Sequence, residues 1–169
     1  MITAPIVSFP YVATRDASVL ILGSMPGTAS LQANEYYAHP RNAFWPIMAA
    51  VLGFDPAAPY HDRVAALRAG RVAVWDVLKA CRRTGSLDSD IEPDSIEFND
   101  FGTFFAAHPG VTRVCFNGGT AERLYQRFVP AILTRRDLHY TRLPSTSPAH
   151  AAMSVADKSH AWRAALIQP

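Results

Sequence analysis

The chain has almost no lysine and almost no cysteine: two of each in 169 residues, Lys79 and Lys158, Cys81 and Cys115. Two thiols without a CxxC spacing cannot build a four-thiolate zinc or iron–sulfur site. Cys115 lies inside an apolar run and reads as a small core residue. The six histidines are scattered, with no HxxxH pair. No metal or other cofactor is expected. Neither GxGxxG nor GxxxxGK[ST] occurs, which argues against a free-nucleotide regulator built on those loops. No apolar run reaches the roughly 18 residues of a membrane span. The opening MITAPIVSFPYVATR lacks the basic segment and apolar core of a secretory signal. A cytoplasmic protein without membrane contact is expected.

What is present is a balanced globular composition, 49% hydrophobic and 18% charged. That is enough to bury a core, and a single domain over 1–169 is expected. The net charge is only +2, but fourteen of the sixteen cations are arginine. Codon bias produces such a skew, and so does phosphate contact, because the guanidinium fork matches phosphate geometry. Arg41, Arg82, Arg83, Arg135, Arg136 and Arg142 fall in or beside predicted loops. A basic face on an otherwise neutral surface is compatible with these numbers.

Four apolar, β-branched runs bounded by turn signals predict strands at 18–23, 71–77, 112–117 and 138–143. Helical patterns over 42–52, 63–69, 95–107, 121–133 and 155–166 separate or follow them. In the third, Ile96, Phe101, Phe104 and Phe105 form a buried stripe. The fourth has Leu124, Tyr125, Phe128, Val129 and Ile132 on one face after a Thr120 cap. Strands alternating with helices predict an α/β fold, a three-layer α/β/α sandwich with a central four-stranded parallel sheet. The polar stretch 84–94 reads as a surface excursion. Each strand ends in an unusual segment: GSMPG at 23–27, Asp76, Asn117-Gly118-Gly119, and LPSTSP at 143–148. In a parallel sheet these ends share one edge, where open α/β sheets bind ligands.

Each segment has its own chemistry. Gly23, Ser24, Met25, Pro26 and Gly27 let a backbone approach a ligand closely, though strand–Gly–helix turns also arise for steric reasons. A tyrosine such as Tyr37 can stack on a flat base. Asn42 can hold a water or read a base edge, and its position also suits a helix cap. Phe44 and Trp45 read as core. Asn117 ends a strand where an amide is a poor sheet former, placing it to pair with a base edge or to make a turn. Ser145, Thr146 and Ser147, held between Pro144 and Pro148, suit a phosphate clamp.

Taken together and in this order, GSMPG, YYAHPRNAFW at 36–45, CRRTGSLD at 81–88, FNGGTA at 116–121 and LPSTSPAH at 143–150 resemble the uracil-DNA glycosylase superfamily. The likeness is nearest to its mismatch-specific uracil and hypoxanthine (deoxyinosine) branches. It implies an enzyme that acts on a nucleotide flipped out of DNA, with DNA containing deaminated bases as partner and a monomer as the expected state. It further implies that Gly23, Ser24, Met25, Tyr37 and Asn117 bind the base. Pro26, Gly27, Arg41, Ser145, Ser147, Pro148, Ala149 and His150 would contact DNA. Met25 stands where many members carry a water-positioning Asp or Asn. The resemblance to the deoxyinosine branch moves that duty to Asn42. Ala149 occupies the place of the usual leucine wedge and is too small to fill a base-stack gap. Asp76 and Asp88 are backup candidates for water activation, with capping or ion pairing as their plainer roles. The alternatives are a G·U-specific uracil glycosylase and, from another class, a catalytically silent DNA-damage binder. With two lysines available, a monofunctional glycosylase is expected rather than a lyase.

Overall fold

The computed structural model describes residues 4–131 and 137–167. Strands β1 (Ile6–Val7) and β2 (Val19–Gly23) are followed by α1 (Thr28–Ala33), α2 (Phe44–Leu52) and α3 (Tyr60–Ala69). The chain continues through β3 (Val72–Asp76), β4 (Leu78–Cys81), β5 (Glu97–Phe98), α4 (Phe101–Ala107), β6 (Arg113–Asn117), α5 (Gly119–Phe128), β7 (His139–Leu143) and α6 (Val155–Leu166). The four expected strands form one parallel sheet in the order β3-β2-β6-β7.

The sheet's period-two alternation divides the core between its faces. Leu20, Leu22, Ala73, Trp75, Val114 and Phe116 pack with Phe101, Phe104 and Phe105 of α4 and Tyr125 of α5. Val19, Ile21, Val72, Val74 and Cys115 pack on the other side with Phe44, Ile47 and Met48 of α2 and Trp162 of α6. Helices therefore cover both faces, as a parallel sheet requires. The expected three-layer sandwich is what forms. Among the described residues, no helix is long and apolar enough to cross a membrane.

Three local expectations fail for identifiable reasons. The stretch 96–100 is not helical: residues 97–98 pair with β4. The buried Asn99 donates its side-chain amide to the Asp76 and Leu78 carbonyls. Helix α4 begins only after Asp100, whose carboxylate caps the Thr103 N–H at 3.0 Å. Ile96 packs against the core from this irregular segment. Helix α5 starts two residues early, and its cap is Gly118 at φ 92°, not Thr120. Ile132 and Leu133 of the expected helix, with Arg135 and Arg136, lie outside the described residues. The small antiparallel sheet β1-β4-β5 was also not expected. Its strands are two to four residues long, too short to show a periodicity.

Candidate active site

The carboxyl ends of all four parallel strands open into one cavity of about 730 Å³, lined by residues 23–30, Tyr36, Tyr37, His39, Asn42, Asp76, 86–89, 117–120 and 145–150. Its floor is Asp76 and Tyr37. Asp76 ends β3 opposite Gly23 and is 3% exposed. A β-carbon on Gly23 would stand 2.5 Å from Asp76 Oδ1 and 2.9 Å from the Tyr37 hydroxyl. Only glycine lets both groups reach this point. Asp76 Oδ2 and Tyr37 Oη are buried and make no hydrogen bond of good geometry; burial and the Asp76 charge raise the Tyr37 phenol, and the nearby Asn117 side chain opposes them. Buried polar atoms rarely lack partners, so these two mark where a ligand would supply them.

Burial pushes the Asp76 carboxyl up to about 7, the Asp88 charge adds to it, and the Arg83 guanidinium opposes both. Burial also raises Asp88, against a 2.7 Å hydrogen bond from Ser24. Arg83 is itself buried at 3% exposure. It donates to the Gly85 carbonyl at 2.6 Å and to the Pro26 carbonyl at 2.5 Å, so it braces the 23–27 turn from below. The 84–94 stretch is thus not a surface excursion. It carries Asp88 to Ser24 and Ser86 to Thr28, and it forms one wall of the cavity.

The raised Asp76 has a stability consequence. Between the unfolded carboxyl's range near 4 and about 7, the unfolded chain releases this proton while the folded chain keeps it, so stability falls as pH rises through that window. Asp76→Asn is expected to be the more stable protein at pH 8, by roughly 2–4 kcal/mol after allowance for relaxation. The advantage shrinks towards pH 5, as denaturant melts at the two pH values would record. An equal difference at both would remove the titration from the account.

The second wall is the 36–42 segment. Tyr36 is core: its hydroxyl donates to the Pro10 carbonyl at 3.0 Å, and its own carbonyl accepts from the Trp45 indole at 2.9 Å. Those bonds turn the next residue inward. Tyr37 sits at φ 53°, a left-handed conformation that costs an aromatic residue about 1–3 kcal/mol and that clusters at functional sites. Its ring stacks on Phe44 with centroids 4.1 Å apart. Asn42 lines the cavity and accepts the Phe44 N–H at 2.9 Å through Oδ1. The N-cap position itself is Ala43, so Asn42 secures this first helical N–H from one residue further out, and its Nδ2 makes no further hydrogen bond among the described residues. Met25 is 7% exposed and packs into the core beside the cavity, so GSMPG contributes shape and Ser24.

The third wall is the loop after β7. Asn117 holds it: Oδ1 accepts the Thr146 N–H and Nδ2 donates to Thr146 Oγ1, both at 2.9 Å. The Asn117 amide is therefore half spent on the loop, leaving one N–H and one lone pair for a base. Thr146, 1% exposed, also gives its carbonyl to Ala43 N at 3.0 Å and so ties this loop to the Asn42 segment. Ser145 and Ser147 accept loop N–H groups at 3.2 Å, and both residues line the cavity. Gly118, at φ 92° with Ser145 3.0 Å from its missing β-carbon, must be glycine. Lys158, buried on α6, donates to the His150 carbonyl at 2.7 Å and anchors the far end of the loop.

The structure thus brings together every expected site residue except Arg41, which is exposed and does not line the cavity. Pro148, Ala149 and His150 stand at the rim. Arg82 is taken by Glu92 at 2.7 Å and Arg83 by backbone, so neither is free for phosphate. Arg123 and Arg142 line the cavity near Gly119, Arg142 pairing with Glu122 at 3.6 Å and Arg123 donating to Thr120 at 3.1 Å. Sequence reasoning undervalued Asp76 and missed Arg83 and Thr146 as organisers. A carboxylate closing a fully apolar strand was the available signal for the first.

A cavity of this size, dead-ended on a carboxyl and a phenol, admits one nucleoside and not the width of a duplex. That is the scale on which an enzyme takes in a single nucleotide extruded from its stack. Comparison supplies the family. Residues 9–168 match the Uracil DNA glycosylase superfamily, and the chain belongs to it. It is a DNA N-glycosylase, a hydrolase whose substrate is DNA. The hypoxanthine DNA glycosylase of Methanosarcina barkeri is 37% identical over 65% of this chain and 69% of its own. The Methanosarcina acetivorans protein of the same name is 36% identical over 67% and 71%. A solution NMR structure of a uracil DNA glycosylase candidate from Methanosarcina acetivorans superimposes with a TM-score of 0.80 and 31% identity. That match covers 96% of this chain and 97% of that one.

Proposed function

We propose that the protein is a monofunctional DNA-deoxyinosine glycosylase that flips hypoxanthine out of DNA and hydrolyses its N-glycosidic bond. The observation that carries this reading is the wall of the cavity. With Met25 packed into the core, Asn42 is a cavity-lining side-chain amide whose Nδ2 is left over from its bond to Phe44. The names of the two curated relatives support the choice of base. Tyr37, backed by Phe44, stacks on the base, and Asn117 reads its edge with the amide hydrogen that Thr146 leaves over. Asn42 orients the water behind C1′. An oxocarbenium-like sugar needs only a well-placed weak nucleophile, so an amide suffices. Ser145, Ser147 and Pro148, with Pro26 and Gly27, hold the backbone on either side of the flipped nucleotide. Ala149 and His150 face the gap it leaves. Neither lysine lines the cavity, and Lys158 is committed to the His150 carbonyl, which speaks against a lyase step through an amine.

A panel of hypoxanthine, uracil and xanthine in single- and double-stranded DNA tests the substrate. Hypoxanthine release is expected to be fastest. Uracil released far faster, above all opposite guanine, would replace this reading with a mismatch-specific uracil glycosylase. No turnover on any lesion would leave a damage-binding protein.

A further inference from the structure

We propose that Asp76 is the general acid of base release: from the floor of the cavity its carboxyl passes a proton to a ring nitrogen of the departing purine as the C1′–N9 bond breaks. This rests on the deoxyinosine reading and extends it to the leaving group. Four observations carry it. The Asp76 side chain lines the cavity while 3% exposed. Its Oδ2 has no hydrogen-bond partner. Gly23 leaves open the space that a β-carbon would fill 2.5 Å from Oδ1. The neighbouring Tyr37 hydroxyl is buried as well and makes no hydrogen bond of good geometry, with the Asn117 side chain close by. The charged and titratable groups around it are Asp88, Arg83, Tyr36 and Tyr37. His39, Arg123, Arg142 and His150 stand further out along the lining. Of these, Arg83 is the neutralising cation; its Nε and Nη2 donate to the Gly85 and Pro26 carbonyls, and its buried Nη1 makes no hydrogen bond. Burial and Asp88 together hold the Asp76 proton on to about pH 7. A carboxylic acid kept neutral in this way is a donor at neutral pH.

The chemistry calls for such a donor. A purine that leaves with the C1′–N9 electron pair departs as an anion unless a ring nitrogen, N7 or N3, takes a proton. In the proposed step the Asp76 O–H bond breaks, the base N–H bond forms and the pair from C1′–N9 stays with the base. The water held by Asn42 adds to C1′. Its surplus proton returns to the Asp76 carboxylate directly or through solvent, which restores the acid.

Single-turnover release of hypoxanthine between pH 5.5 and 9 tests this with the wild-type protein. The rate is expected to be flat in acid and to fall towards tenfold per pH unit above about 7. Replacing deoxyinosine with its 7-deaza or 3-deaza analogue should lower the rate about 100-fold in the analogue that lacks the accepting nitrogen. Asp76→Asn should bind DNA carrying non-cleavable 2′-fluoro-deoxyinosine within a few-fold of wild type. Its release rate should be about 100-fold lower and independent of pH. A pH-independent wild-type rate, or full rates with both deaza analogues, would overturn the proposal. So would a slope that persists in Asp76→Asn. If Asp76→Asn fails to fold, the wild-type profile and the analogues decide. Wild type that releases no hypoxanthine at any pH would instead sink the deoxyinosine reading itself.

Discussion

Asn42→Ala is expected to lower single-turnover hypoxanthine release by 100-fold or more, the scale on which a misplaced reacting group is felt. The side chain has two jobs that the variant removes together. Its Oδ1 caps the Phe44 N–H, and losing a cap costs about 0.5–2 kcal/mol of stability. Its Nδ2, left over from that bond, is the proposed water-positioning donor. Asn42→Ser separates them, because a serine hydroxyl caps a helix well but does not reach as far. Stability close to wild type with activity as low as in Asn42→Ala would assign the loss to chemistry. Unchanged turnover in Asn42→Ala would end the proposed mechanism.

Gly23→Ala should damage both the fold and the reaction. The added β-carbon would lie 2.5 Å from Asp76 Oδ1 and 2.9 Å from the Tyr37 hydroxyl, closer than real contacts allow. Both are the tips of short or tightly packed buried side chains, so the floor of the cavity must move. Overpacking of this kind costs about 1–3 kcal/mol. A floor displaced by about 1 Å is enough to lower the rate about 100-fold. Tyr37 has little room to yield, held at φ 53° and stacked on Phe44. Thermal melting together with single-turnover rates checks the pair of effects. Near-normal stability and activity would mean that the floor is softer than its burial indicates.

The same two residues show how far the amino-acid sequence could be read. Runs of alternating faces such as Val19-Leu20-Ile21-Leu22 sort themselves onto the two sides of a sheet by their own period, so four parallel strands and two helical layers were legible. So was the edge on which their loops meet, because parallel strands all end there. That Asn42 would sit in the cavity also followed, through the motif it belongs to.

What could not be read are relations between distant backbone atoms. Asn99 spends its amide on the Asp76 and Leu78 carbonyls, and this stops a helix that its own stretch would otherwise favour. Arg83 reads as a phosphate ligand until the fold buries it against Pro26 and Gly85. Asn117 reads as a base reader until Thr146 takes half of its amide. In each case a polar side chain inside the protein must find a partner, and which partner is near depends on the packing of elements 20 or more residues apart. Periodicity and motif order thus determined the class of fold, the edge that carries the site and the family. Burial decided the rest: it alone places an unpartnered Asp76 at the floor of the cavity and, by excluding water, leaves that carboxyl its proton.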